Sequence, residues 1–228
     1  MEYMFDTVNI EDIKHYGEFF PITGITSNPS IIKLEGKIDF FNHFKEIRKV
    51  IGMDKSLHIQ VIAEDYAGII AEAEAIIKNV DDKVFIKVPV TEQGLKAIRA
   101  LKVKGIGVTA TAIYTKVQGL LAMEVGADFI APYFNRMENM DIDAQAVITT
   151  FAEMIKEYHY PTKILAASFK NMNQVNAAFK CGAQTATIPP ALLHDAFKMA
   201  AIKKAVDDFA TDWETVFGKN VSIVDFEG

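Results

Sequence analysis

Cysteine is almost absent from this chain, and no segment is strongly cationic. Cys181 is the single cysteine among 228 residues, so no disulfide can form within the chain. Such usage is typical of a reducing compartment, and a cytoplasmic location is expected. The formal net charge is −6 at pH 7, and no basic block occurs. Binding to nucleic acid or to an anionic membrane surface is therefore not expected.

Long apolar runs and metal-ligand motifs are also lacking. No stretch is long enough to span a bilayer, and the acidic segment Met1–Asp6 lacks the basic and apolar regions of a secretory signal. The five histidines are scattered without the spacing of metal ligands, so no metal site is predicted. Cys181 falls at the predicted C-terminal end of a helix, where the dipole disfavours a thiolate. A cysteine nucleophile is therefore not expected.

Short apolar segments alternate with amphipathic helical segments along the chain. Strands are predicted at 3–5, 22–26, 57–62, 84–90, 107–110, 127–131, 163–167 and 185–188. This order, in a chain near the ~250 residues usual for the fold, predicts a closed eight-stranded parallel (β/α) TIM barrel. The alternative is an open doubly wound sheet, which usually has a glycine-rich phosphate loop where this chain has Asp6-Thr7-Val8-Asn9. Residues 1–228 show no linker and are predicted to form one domain.

An extra C-terminal helix is predicted over residues 202–217, beyond the eighth unit. Its apolar residues recur at helical spacing and are Val206, Phe209, Trp213, Val216 and Phe217. Such a face packs either on its own barrel or on a neighbouring subunit, and the sequence leaves both alternatives open.

Lys87 stands in the middle of an almost wholly apolar run, Val84–Val90. The run is short, rich in β-branched residues and closed by a proline, as expected of a strand buried on both faces. Burial of an ammonium is costly, and a buried lysine can avoid that cost by losing its proton. The neutral amine attacks carbonyl carbons and forms Schiff bases. The structural alternative is a lysine that pairs with a carboxylate or reaches solvent.

Polar residues collect at the predicted strand ends where barrel enzymes carry their active sites. In chain order they are Asp6, Thr26, Asn28, Gln60, Lys87, Thr111, Tyr133, Asn135, Arg136, Ser168 and Lys170. Structural alternatives are a helix cap for Asp6, a turn residue for Asn28, a satisfied interior side chain for Gln60 or Tyr133, and a surface arginine for Arg136. Their convergence on one end of the barrel favours a dry polar site around Lys87.

Six segments carry a resemblance to a known family. They are Asp6-Thr7, Gly24–Ser30, Lys87–Thr91, Gln118-Gly119, Ala131–Arg136 and Ala167–Lys170. Together, and in this order, they resemble the transaldolase family, and within it the short subgroup that contains fructose-6-phosphate aldolase. The resemblance implies an α/β barrel with its Schiff-base lysine on the fourth strand, where Lys87 stands. It implies no cofactor and a homo-oligomer, expected to be a decamer. Ser27 and Lys170 replace the threonine and arginine usual in the larger family.

The resemblance also implies roles for the site residues. Asp6 and Asn28 would hold the hydroxyls of a dihydroxyacetone donor, and Thr26 and Ala131 would also belong to the substrate site. Tyr133 would be acid and base through a water held by Gln60 and Thr111. The phosphate of the acceptor sugar would be held by Arg136 and Ser168, with Lys170 as a helper.

Gln60 and Tyr133 bear on which reaction is expected. True transaldolases resemble this chain but carry glutamate and phenylalanine at these positions, so both residues favour an aldolase. The expected reaction is cleavage or formation of fructose 6-phosphate from dihydroxyacetone and glyceraldehyde 3-phosphate. Two alternatives stay open: a transaldolase that transfers the dihydroxyacetone unit between sugar phosphates, and a non-catalytic barrel that holds pyridoxal phosphate on Lys87.

Overall fold

Eight parallel strands close into a barrel within residues 1–226, the part of the chain that the computed structural model describes. Each strand pairs with the next one along the chain, and the last pairs with the first. They are β1 Glu2–Asp6, β2 Ile22–Thr26, β3 Ser56–Gln60, β4 Val84–Pro89, β5 Val108–Ile113, β6 Phe129–Pro132, β7 Lys163–Ala166 and β8 Thr185–Ile188. The predicted closed (β/α) barrel is therefore confirmed, and the open-sheet alternative is wrong.

Helices separate successive strands, and the chain divides into two compact units, Met1–Leu192 and the segment from Leu193 onward. In the first unit the helices are α1 Ile10–Gly17, α2 Pro29–Glu35, α3 Phe40–Ile51, α4 Tyr66–Asn79, α5 Glu92–Val103, α6 Lys116–Glu124, α7 Phe134–Glu138, α8 Ala144–Tyr158 and α9 Met172–Lys180. Helix α10, Pro190–Asp195, spans the division, and α11, Ala200–Phe217, lies in the second unit with a 3-10 turn at Ile223–Phe226.

Two helices that begin at the strand ends were not expected from the sequence. α2 starts directly after Asn28, whose side-chain oxygen accepts the Ile31 amide hydrogen at 3.1 Å, and α7 starts directly after Tyr133. With seven and five residues they are too short to show a helical hydrophobic period. The third strand is also shorter than predicted, because the amide hydrogen of Ile62 is donated to Glu72 instead of to a neighbouring strand.

The barrel interior is fixed by four apolar side chains that form one buried cluster. Met4, Phe85, Phe129 and Leu165 come from four different strands, so they meet only inside the barrel. Side chains alternate along a strand, so the residue two positions further on lies on the same side. That rule places Asp6, Lys87, Ala131 and Ala167 above the cluster, at the C-terminal mouth of the barrel.

His58 fills the interior beside this cluster. Its ring stacks on Phe85 with centroids 4.9 Å apart and meets Phe129 edge-on at 5.1 Å. Both ring nitrogens have partners, the hydroxyls of Thr109 at 2.7 Å and Ser56 at 2.9 Å. Burial lowers the pKa of His58 to about 3, and the positive charges of Lys87 and Arg48 act in the same direction. His58 is thus a neutral core residue, as its place on a strand suggested.

This burial predicts a pH-dependent stability. Between about pH 3 and 6.5 the unfolded chain binds a proton at His58 and the folded chain does not, so acidification favours unfolding. From about pH 7 to about pH 5 the single site should cost about 2 kcal/mol of unfolding free energy. Urea unfolding of the wild type and of His58→Gln at both pH values measures this loss. Because the variant lacks the titrating imidazole, its unfolding free energy should fall by about 2 kcal/mol less than that of the wild type.

The test depends on the difference between the wild type and His58→Gln in the loss of unfolding free energy on acidification. The pKa of Asp6 is raised by burial, so its titration stabilises the folded state on acidification, but it does so in both proteins. If wild type and His58→Gln lose stability equally, the buried imidazole does not carry the effect.

Helix α11 of the second unit begins two residues before the predicted start. Val206, Phe209 and Val216 of its apolar stripe are exposed, by 60%, 70% and 72%. Trp213 differs, because its ring lies 4.3 Å from that of Phe217 and its Nε1 donates a hydrogen bond to the carbonyl of Val221. Among residues 1–226, none of the helices has the length and apolar character needed to cross a membrane.

Candidate active site

A cavity of about 380 Å³ opens at the C-terminal mouth of the barrel. Seven of the predicted site residues line it together, at the ends of five strands or in the segments that follow them: Asp6, Asn28, Lys87, Tyr133, Arg136, Ser168 and Lys170. Thr26, Thr111 and Ala131 lie behind this lining as fully buried side chains of the strands. Asn135 also lines the cavity.

Lys87 is the most enclosed cation of this site, with 2% of its surface exposed. Its Nζ donates a hydrogen bond to the backbone carbonyl of Ser27 at 3.2 Å. Ser27 is itself held by two hydrogen bonds to the carbonyl of His58. No carboxylate within residues 1–226 forms an ion pair with Lys87, so it is not a lysine kept inside by a direct salt bridge.

Asp6 ends β1 and is oriented by a chain of hydroxyls. Thr26 donates to the Asp6 carboxylate at 2.6 Å, and Thr187 lies 2.6 Å from the same Thr26 hydroxyl. Because a hydroxyl has one proton to give, Thr187 must donate to Thr26. Burial raises the pKa of Asp6, against the charge of Lys87 and the Thr26 hydrogen bond, which lower it. Asp6 does not cap α1, since Asn9 does so.

Tyr133 lines the same cavity as Lys87. Its hydroxyl lies 3.0 Å from the Oγ1 of Thr111. The residue after Thr111, Ala112, has a φ of +58° in the left-handed region, and the pairing register of β5 and β6 shifts there. A non-glycine residue in that region stores strain, which often accompanies functional positions. This strained position therefore lies within β5, directly beside the residue that contacts Tyr133.

Gln60 pairs with Lys87 in the strand register but lines a different cavity, of about 620 Å³, on the other side of the β3 end. Its Oε1 is buried and, within the described residues 1–226, accepts no hydrogen bond. A buried carbonyl oxygen without a donor is a place for a water or substrate hydroxyl. The charged residues of this larger cavity are Glu64 and Glu92, so it disfavours a phosphate.

Asn28 serves two structures at once. Its side-chain oxygen caps α2, so this atom has a structural role, as a helix cap and not as the turn residue that the sequence suggested. The capping bond uses only the side-chain oxygen, so the Nδ2 group can still donate hydrogen bonds. The same side chain lines the cavity.

Arg136 is an exposed arginine, yet it is held in place by two tyrosines. Its guanidinium lies 4.7 Å from the ring centre of Tyr133, and its Nη1 lies 3.4 Å from the hydroxyl of Tyr114. This hydrogen bond is the main cause that raises the pKa of Arg136. Ser168, which also lines the cavity, has a φ of +65° and is a second strained non-glycine residue at the mouth.

Three residues that the sequence reasoning missed support this site: Tyr114, Gln174 and Thr187. Thr187 could have been found, because it ends the last strand with the same alternation as Lys87 does in β4. No sequence signal marked Tyr114 or Gln174, which lie on neighbouring elements.

Comparison with known proteins places these features in a family. Residues 3–223 match the family model described as Transaldolase/Fructose-6-phosphate aldolase. A Streptococcus pneumoniae protein named "Probable fructose-6-phosphate aldolase" is 52% identical over 213 residues, which cover 93% of this chain and 96% of that protein. A Geobacillus kaustophilus protein named "Probable transaldolase" is 34% identical over 213 residues, covering 93% of this chain and 98% of that protein. The chain is thus a member of the transaldolase and fructose-6-phosphate aldolase family.

Proposed function

We propose that the protein is a Schiff-base aldolase that cleaves and forms fructose 6-phosphate, with dihydroxyacetone and glyceraldehyde 3-phosphate as the other partners of the reaction. The observation that carries the proposal is a buried Lys87, without a salt bridge among residues 1–226, in one cavity with Tyr133 and Arg136. A nucleophilic amine, a proton-transfer group and a phosphate-binding cation are the three parts that this chemistry needs. The relative named as a fructose-6-phosphate aldolase supports the same substrate.

Lys87 attacks the ketone carbon of the open-chain ketose and, after loss of water, forms an iminium. The bond between the third and fourth carbons then breaks, its electron pair moves into the iminium, and an enamine remains on the lysine. The proton of the fourth-carbon hydroxyl leaves to a base as glyceraldehyde 3-phosphate forms. Protonation of the enamine and hydrolysis of the resulting iminium release dihydroxyacetone and restore the amine.

Tyr133 passes these protons through a water molecule that Gln60 and Thr111 hold. The 3.0 Å contact of Tyr133 with Thr111 supports the Thr111 side of this arrangement. Gln60 lines the neighbouring cavity, but it is the register partner of Lys87, and its Oε1 has no hydrogen bond within residues 1–226. Asp6 and the Nδ2 group of Asn28 bind the hydroxyls of the donor, and the Thr187–Thr26 chain keeps the carboxylate of Asp6 in one orientation.

Arg136 and Ser168 hold the acceptor phosphate, with Lys170 at the edge of the cavity. Arg136→Ala should therefore weaken the use of glyceraldehyde 3-phosphate by about 2–3 kcal/mol in kcat/KM, the scale of a lost charged hydrogen bond. Unphosphorylated glyceraldehyde should be affected far less. Steady-state kinetics with both aldehydes measures the difference. Equal losses for the two aldehydes would make Arg136 a structural residue.

A transaldolase is the second candidate, since a transaldolase also forms the enamine on its lysine. The relative named as a transaldolase, which aligns over 93% of this chain, favours it. The test is product analysis from fructose 6-phosphate with and without an aldose acceptor. Free dihydroxyacetone without an acceptor supports the aldolase, and products that form only with an acceptor support the transaldolase.

A barrel that merely holds pyridoxal phosphate on Lys87 is the third candidate. A pyridoxal imine absorbs visible or near-ultraviolet light, so an absorbance spectrum of the purified protein distinguishes it. A colourless protein that cleaves fructose 6-phosphate excludes this role.

The protein assembles with copies of itself, as a decamer, in the cytoplasm. The apolar stripe of α11, with Phe209 exposed by 70%, supports a contact between subunits. Removal of the chain from residue 202 onward should therefore give smaller particles, which light scattering measures. A full-length chain that is monomeric at micromolar concentration would contradict the assembly.

A further inference from the structure

Gln174 joins the two segments that would hold the phosphate, although it does not line the cavity itself. One segment is α7, which carries Arg136. The other is the loop between β7 and α9, which carries Ser168 and Lys170. Gln174 lies in the first turn of α9 with only 7% of its surface exposed.

The side-chain amide of Gln174 makes three hydrogen bonds. Its Oε1 accepts the backbone amide hydrogen of Lys170 at 2.8 Å. Its Nε2 donates to the Oδ1 of Asn135 at 3.0 Å and to the Oε2 of Glu138 at 2.5 Å. Both amide protons and the oxygen are therefore engaged. Turning the amide over would set its NH₂ group against an N–H and its oxygen against a carboxylate, so one orientation is fixed.

α7 and the β7–α9 loop need hydrogen bonds from other parts of the protein to hold their positions. α7 has five residues, and a single helical turn is marginal without outside contacts. Backbone bonds to the β7–α9 loop hold its start, since Phe134 donates to Ala167 at 2.8 Å and Asn135 donates to Ser168 at 2.9 Å. Gln174 adds a bond to its last residue, Glu138. The loop is also strained, because the backbone of Ser168 is in the left-handed region.

We infer that Gln174 is a positioning residue that sets the spacing between Arg136 and Ser168, and that it thereby adapts the site to phosphorylated acceptors. The inference rests on the proposed function, in which these two residues hold the acceptor phosphate. Its signature is a rise in the KM of the phosphorylated aldehyde, with kcat and the unphosphorylated aldehyde unchanged.

The first test replaces Gln174 with an apolar side chain of similar length. Gln174→Met should raise the KM for glyceraldehyde 3-phosphate about tenfold, because small displacements of binding groups have effects of this size or larger. The KM for glyceraldehyde and both kcat values should stay within about twofold. The matched control is Gln184→Met, which removes a 2.7 Å bond to the amide of Ile164 at the opposite end of β7. It should lower thermal stability without changing the preference between the aldehydes.

A charge exchange tests the same contact if Gln174→Met does not fold. Gln174→Glu sets a second carboxylate against Glu138 and should impair the use of glyceraldehyde 3-phosphate more than Gln174→Met does. Adding Glu138→Gln restores a donor–acceptor pair with its direction reversed, and the carboxylate at position 174 still accepts from Lys170. Asn135 meets the same carboxylate by turning its side-chain amide over, so that its Nδ2 donates. The double variant should recover to within about threefold of the wild type.

Failure of the double variant to recover, or equal losses for both aldehydes in Gln174→Met, overturns the inference. Arg136→Ala separates this failure from that of the phosphate site. If Arg136→Ala is selective for the phosphorylated aldehyde and Gln174→Met is not, only the positioning role is wrong. If Arg136→Ala is itself unselective, both are wrong.

Discussion

Lys87→Ala should abolish turnover of fructose 6-phosphate, with a loss of at least about 10⁴-fold, because the nucleophile of a covalent mechanism has no substitute. The wild type, treated with borohydride and dihydroxyacetone, should gain one donor-sized adduct on Lys87, since the hydride traps only an imine. Intact-mass measurement followed by peptide mapping locates the adduct. The enclosed position of Lys87, 2% exposed beside the Ser27 carbonyl, is the structural reason to expect the reaction there.

Lys170→Ala is the matched control, because Lys170 lines the same cavity but is exposed. This variant should be labelled as fully as the wild type. If Lys87→Ala gains the dihydroxyacetone adduct to the same extent as the wild type, Lys87 is not the residue that forms the Schiff base. Loss of label in Lys170→Ala would move the assignment to the other lysine.

Tyr133→Phe should nearly stop the release of dihydroxyacetone, by about 10²–10⁴-fold, while a borohydride-reducible Schiff base still forms. After cleavage an enamine remains on Lys87, and release requires that its carbon be protonated. The amide of Gln60 does not titrate at neutral pH, and in the proposed mechanism Tyr133 supplies the proton. Removing the hydroxyl also leaves Thr111 without its 3.0 Å partner, but the aromatic ring under Arg136 remains.

Tyr114→Phe is the control for Tyr133→Phe. It removes a phenol whose ring lies 5.5 Å from that of Tyr133, without touching the proton path. Gln60→Glu combined with Tyr133→Phe should shift the products from free dihydroxyacetone towards transfer onto an aldose phosphate. The ratio of the two products is the measurement. Release at the wild-type rate by Tyr133→Phe would contradict its acid and base role.

The barrel could be predicted from the sequence because its signals are local and repeated. Most strands are short apolar runs rich in β-branched residues, and polar residues recur at or just after their ends, as Asp6 and Thr111 show. Strand alternation then decides which side chains share the interior, so the grouping of Asp6 with Lys87 followed from the fold alone.

The contacts that complete the site could not be predicted, because they depend on distances between elements far apart in the chain. Gln174 reaches Glu138 across 36 positions, and Tyr114 reaches Arg136 across 22. The short helix α7 carries no periodic pattern. Ala112 and Ser168 have left-handed backbone conformations, which usually occur at glycine. Because neither residue is glycine, the sequence did not indicate these conformations.

The hydroxyl chain that ends on Asp6 has a consequence for how the protein is made. Thr26 and Thr187 are 161 positions apart, yet they meet in one hydrogen bond beside the earliest residue of the site. In a chain emerging from the ribosome, this hydroxyl chain is complete only after β8 has been synthesised and has closed the seam against β1. Such long-range closure is slow compared with the pairing of neighbouring strands. Lys87 is therefore translated long before this hydroxyl chain is complete. If the proposed mechanism holds, competence for catalysis should appear only with the closing of the barrel.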